Sequence, residues 1–87
     1  MTANPSPLGV RAEVHAVILD VMPSLTPADI DESLHLKELG ADSVDRVEII
    51  MELLHRLGID EPMSSFSALH DIGALIDLLG RLQAREP

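Results

Sequence analysis

The stretch Leu39-Gly40-Ala41-Asp42-Ser43-Val44-Asp45-Arg46-Val47-Glu48-Ile49-Ile50-Met51 decides how the chain folds. Gly40 releases the backbone from a loop, and Asp42, a preferred capping residue, opens a strongly amphipathic helix. The helix is predicted from Ser43 to Leu57 and stops at Gly58, a common residue just past a helix end. Ser43 then lies in the first turn, where free N–H groups and the macrodipole favour a negatively charged phosphate group. Stepping about 100° per residue separates the faces of this helix. Ile49, Ile50, Leu53, Leu54 and Leu57 fall together as core, while Asp45, Glu48, Glu52 and His55 fall on another side. Val44, Val47 and Met51 lie between them and widen the apolar arc beyond what a small bundle needs. Packing at the core edge is their plainer role; an apolar strip flanked by carboxylates also fits a partner surface rimmed by Lys or Arg.

Outward from this helix, Ser6-Pro7 reads as an earlier helix start, with Val10, Val14, Val17, Ile18 and Val21 at helical spacing. Pro23 ends that element by biasing Met22 away from the helix. A long connection follows from about Pro23 to Ala41, pinned to the core by Ile30, Leu34, Leu36 and Leu39, with a short helical turn expected over Leu34–Glu38. After the turn Ile59-Asp60-Glu61-Pro62, residues Ser64 to Leu69 suit a short third helix that buries Phe66. Asp71 can cap a last helix with Ile72, Leu75, Ile76, Leu79 and Leu82 on one face. No strand-like alternation persists and nothing repeats. The expected fold is all-α: a four-helix bundle of three longer helices and one short third helix, with a long first loop. Residues 1–6 read as a flexible leader, 7–84 as one domain and 85–87 as a tail.

At 87 residues the chain is one small domain, in which folding buries only about 60–70% of the extended chain's surface. Hydrophobic residues make up 46% of it with a single aromatic, Phe66, so the core must be built from Val, Ile, Leu and Met. There is no cysteine and hence no disulfide framework, which suits a reducing compartment. Fifteen acidic residues against six basic give a net charge of −9. That balance disfavours nucleic acid and anionic membrane surfaces; it fits basic protein partners, and equally a charge that only keeps the domain soluble. No apolar run approaches the ~20 residues that span a bilayer. No secretory signal is visible either, and the expected location is the cytoplasm. His15, His35, His55 and His70 are scattered without Cys or an i,i+4 pair, so neither a metal site nor a Ser-His-Asp centre is indicated. No catalytic cluster is evident.

The segment Leu39–Met51 resembles the attachment motif of acyl carrier proteins, and the order of elements over most of residues 10–84 is similar to that fold. The resemblance implies a non-catalytic carrier in which Ser43 bears 4′-phosphopantetheine, taken from coenzyme A, whose thiol holds acyl groups as thioesters. It implies that Asp42 flanks the site for transferase recognition. It also makes Val44, Asp45, Arg46, Val47, Glu48, Met51 and Glu52 the partner-recognition surface of a monomeric protein. Gly-Ala-Asp-Ser-Val-Asp resembles acyl carriers more than peptidyl carriers, which usually read Gly-Gly-x-Ser. Arg46 departs from the fatty-acid type, which has a small polar residue there; the loop acids Asp31 and Glu32 are its candidate partners. With Ile72-Gly73-Ala74-Leu75-Ile76-Asp77-Leu78-Leu79, it makes the chain most similar to the free-standing donor carriers of polyketide β-branching cassettes. That subtype implies an acetyl or malonyl cargo. Its partners would be a phosphopantetheinyl transferase, an acyltransferase, a decarboxylating ketosynthase and a 3-hydroxy-3-methylglutaryl synthase homologue. The alternatives are a general fatty-acid or polyketide extender carrier, and an unmodified carrier-like structural or regulatory partner.

Overall fold

The computed structural model describes residues 9–85; the leader over 1–6, the Ser6-Pro7 helix start and the end of the tail lie outside them. The described residues are all-helical, with three α-helices: α1 (Gly9–Val21), α2 (Ser43–Leu57) and α3 (Ile72–Arg85). Single 3₁₀ turns at Pro27–Asp29, Leu36–Leu39 and Met63–Phe66 punctuate the connections.

The expected short third helix over Ser64–Leu69 is one 3₁₀ turn, Met63–Phe66, so the described residues form three α-helices and this turn. The Ser67 hydroxyl donates to the Ser64 carbonyl at 2.9 Å and so occupies an acceptor that a continuing helix would use, while the Ser65 hydroxyl donates to the Glu61 carboxylate at 2.6 Å. One turn suffices to bury Phe66. The turn expected over Leu34–Glu38 forms slightly later, at Leu36–Leu39, because His35 caps it: its Nδ1 accepts the Lys37 N–H at 2.9 Å.

The core matches the apolar spacing. Val14, Val17 and Ile18 of α1 meet Ile49 and Leu53 of α2 and Ile72, Leu75, Ile76, Leu79 and Leu82 of α3, all buried. Ile30, Leu36 and Ala41 pin the long first loop to this core. The loop also supplies acceptors to the start of α3. The Ile72 N–H donates to the Leu34 carbonyl at 2.9 Å and the Gly73 N–H to the Glu32 carbonyl at 2.8 Å. Two of the four amides that a helix start leaves unpaired are thus satisfied by a segment about forty residues away. The Asp71 carboxylate satisfies a third, accepting the Ala74 N–H at 2.7 Å. Polar side chains fasten α1 to its neighbours. Arg56 of α2 reaches Asp20 of α1 at 2.7 Å, and Arg11 and His15 of α1 both reach Glu32 of the loop at 2.8 Å.

Candidate functional site

The start of α2 is built by three residues. Gly40 adopts φ 100°, a left-handed conformation that side chains disfavour, and turns the loop into the helix. The Asp42 carboxylate accepts the Asp45 N–H at 2.8 Å, and the Arg46 N–H donates to the Asp42 carbonyl at 2.9 Å. The amides of Ser43 and Val44 precede those two and have no acceptor within the helix. Ser43 is exposed, and among the described residues its hydroxyl makes no hydrogen bond.

Two concave surfaces meet at Ser43. One is a cavity of about 350 Å³ between α2 and the segment leading into α3, walled by Leu36, Val47, Ile50, Phe66, Leu69, Ile72 and Leu75. His35, Arg46, Ser67 and Asp71 give that cavity its polar groups. The other is a shallow apolar patch on the outside of α2, formed by Ser43, Val44, Val47, Glu48 and Met51. Val44, Val47 and Met51 are 68%, 45% and 57% exposed, so the core does not use them. Ile49 and Leu53 are fully buried, and Ile50, Leu54 and Leu57 pack half-buried against them, as their spacing predicts.

The carboxylates around the patch have different duties. Glu48 is exposed and makes no ion pair among the described residues, whereas Glu52 holds Arg56 at 2.8 Å and Asp45 belongs to the helix cap. Arg46 bonds neither of its candidate partners. Asp31 accepts from the backbone N–H and hydroxyl of Ser33, which lowers its pKa, and Glu32 is taken by Arg11 and His15. Arg46 Nη1 donates instead to the Ala41 carbonyl at 2.9 Å. The sequence reading did not single out His35, Leu69 or Asp71 as lining residues, because their approach to α2 is set by the path of two loops. Among the described residues no group of three or more His, Asp or Glu is placed to hold a metal ion.

Residues 12–79 match the family described as "Phosphopantetheine attachment site". The chain is therefore a carrier domain for a covalently attached 4′-phosphopantetheine group. More narrowly, it belongs to the acyl carrier proteins. The polyketide biosynthesis acyl-carrier-protein AcpK of Bacillus subtilis (strain 168) is 40% identical to it over 62 residues, which is 71% of this chain and 76% of that protein. No solved structure matches the chain at a significant level. The residues present fit the group: an exposed serine hydroxyl, without a hydrogen bond among the described residues, stands at the edge of a cavity that joins apolar walls to hydrogen-bonding groups. When attached, the arm supplies a thiol on which acyl groups are held as thioesters, and carriers of this kind are generally not themselves catalysts. No helix among the described residues is long and apolar enough to cross a membrane.

Proposed function

We propose that Ser43 carries the 4′-phosphopantetheine arm and that the protein serves polyketide biosynthesis as the acetyl or malonyl donor carrier for β-branching. One observation carries the attachment assignment. Ser43 bears an exposed hydroxyl, unbonded among the described residues, at the first position of α2, and it borders both the cavity and the apolar patch. An arm rooted there can lie in the cavity or extend to an enzyme docked on the patch. Asp42 holds the serine in place by capping the helix and presents a carboxylate to the transferase. The apolar strip Val44, Val47 and Met51, with Asp45, Arg46, Glu48 and Glu52 around it, is the docking surface. Its acidic rim suits enzymes with a basic face.

The polyketide assignment rests on the similarity to AcpK. The donor role rests on the motif from Ser43 to Ile50 and on the α3 sequence Ile72–Leu79. Its partners are a phosphopantetheinyl transferase, an acyltransferase, a decarboxylating ketosynthase and a 3-hydroxy-3-methylglutaryl synthase homologue. The protein works as a cytoplasmic monomer.

Attachment is tested by treating the protein with coenzyme A and a phosphopantetheinyl transferase. One arm per chain is expected on the peptide containing Ser43. Ser43→Ala is expected to fold normally, since the hydroxyl makes no hydrogen bond among the described residues, and to take up nothing. Modification of that variant would overturn the assignment.

A further inference from the structure

Basic residues are scarce in this chain, six against fifteen acidic. Arg11 and Arg56 are both committed, the first to Glu32 at 2.8 Å and the second to Asp20 and Glu52 at 2.7 and 2.8 Å. Arg46 differs. Like the exposed Lys37 and Arg81 it makes no salt bridge among the described residues, but unlike them it is half-buried. One of its five N–H donors goes to the Ala41 carbonyl, which draws the guanidinium back toward the residues just before Ser43. Side chains on a helix lean toward its N-terminus, and residues three apart are neighbours on one face. Ser43 and Arg46 accordingly border the same cavity. Asp71, a carboxylate on that cavity wall, is engaged with the Ala74 N–H.

A phosphodiester on Ser43 would bring a full negative charge to the one place in this cavity that holds a guanidinium with donors to spare. We infer that Arg46 is the positioning residue for the arm. Its guanidinium hydrogen-bonds the phosphodiester of the Ser43-linked group and turns the arm's first bonds into the cavity beside Val47, Ile50 and Phe66. The inference rests on attachment at Ser43. Guanidinium–phosphate pairs favour a forked, two-bond geometry, which restricts direction as well as distance. The consequence is orientation: without Arg46 the same arm samples solvent over the acidic surface of α2.

The test uses native protein, Arg46→Gln and Arg46→Lys, each loaded with the arm and verified by the mass of the Ser43 peptide. In loaded native protein, nuclear Overhauser contacts are expected from the arm to Phe66 and Ile50, and the Arg46 guanidinium protons should exchange more slowly than before loading. Arg46→Gln is expected to lose those contacts and to shift the ³¹P resonance of the phosphodiester, a readout that a purely structural role would not move. Arg46→Lys keeps charge without the fork and is expected to fall between the two. Unchanged contacts and ³¹P shift in loaded Arg46→Gln would overturn the inference and leave attachment intact. If that variant fails to fold, unaltered guanidinium exchange on loading the native protein would overturn it as well. Absence of any arm on native Ser43 would overturn both the attachment reading and this inference.

Discussion

Asp42 and Asp45 bracket Ser43 in a reciprocal pair of hydrogen bonds: the Asp42 carboxylate accepts the Asp45 N–H at 2.8 Å, and the Asp45 carboxylate accepts the Asp42 N–H at 3.3 Å. The first bond fixes where α2 begins; the second is longer and only reinforces it. Two carboxylates that look alike in the sequence are therefore structural before they are anything else. Asp42→Ala is expected to cost about 1 kcal/mol of stability, the usual value of a lost cap. It should also slow loading of Ser43, because the first turn that presents the hydroxyl frays. Asp42→Asn keeps a capping oxygen and is expected to retain stability. A thermal melt paired with a loading time course checks both. Slow loading of a fully stable Asp42→Asn would mean that the transferase reads the charge itself.

Glu48 is the cleanest probe of the recognition surface. It is exposed and unpaired among the described residues, so Glu48→Lys is expected to leave the melting temperature nearly unchanged. The same change should slow acyl transfer to a basic partner, mainly through the association rate, and flatten its salt dependence. Glu52→Lys would instead break the 2.8 Å contact with Arg56 and set two cations one turn apart. That change is expected to lower stability by roughly 0.5–1 kcal/mol, so its kinetic effect mixes folding with recognition. Stopped-flow transfer at several salt concentrations separates the cases. Identical kinetics for Glu48→Lys and native protein would reduce the acidic rim to a solvated surface.

Acid should loosen the first loop. The hydrogen bond from Arg11, aided by His15, holds the Glu32 carboxyl below its ordinary pKa. A carboxyl whose pKa is lowered on folding adds stability above its unfolded value, near 4.3, and that contribution disappears as pH falls through the folded value. Native protein is therefore expected to be more stable than Glu32→Gln at neutral pH, with the gap closing below about pH 4. The gap should be small, because solvent screens a contact this near the surface. Denaturant unfolding of both proteins across acidic pH checks the sign; a gap that stays constant with pH would remove Glu32 as its source.

The ends of α2 and the start of α3 were legible because local chemistry sets them. Asp42 and Asp71 cap by side-chain bonds available within three residues. Gly58 stops α2 in the left-handed region at φ 67°, where the Ile59 N–H reaches back to the Leu54 carbonyl at 2.9 Å. What escaped the sequence depends on distant segments or on competition. The loop carbonyls of Glu32 and Leu34 that receive α3, and the Ala41 carbonyl that receives Arg46, are backbone acceptors with no residue signature. His35 as a cap is equally silent, since histidine is not a favoured capping type. The turn at Met63–Phe66 has helix-like apolar spacing, but the Ser67 hydroxyl takes the Ser64 carbonyl and the helix goes no further. Of the site, Ser43 could be read from the capping motif and the resemblance, whereas periodicity left Val44, Val47 and Met51 between core edge and exposed strip; the cavity beside them could not be read, because its far wall comes from residues 63–75.

The donor role makes the most selective prediction. Every carrier in one pathway bears the same arm, so a synthase that accepts acetyl from one of them must discriminate by protein surface. A difference of about 1.4 kcal/mol already gives a tenfold preference. Here the surface nearest the arm is the strip of Val44, Val47 and Met51, which is exposed and contributes little to the core. Acetyl loaded on this protein is expected to pass to a cognate 3-hydroxy-3-methylglutaryl synthase homologue at least about tenfold faster than the same group on a fatty-acid-type carrier. Val47→Ala combined with Met51→Ala should narrow that ratio while leaving the melt and Ser43 loading unchanged, because neither residue is buried. Transfer followed by mass spectrometry of the paired carriers measures the ratio directly. Equal rates from both carriers would refute the donor assignment and make this protein a general extender carrier, with its arm and its attachment chemistry intact.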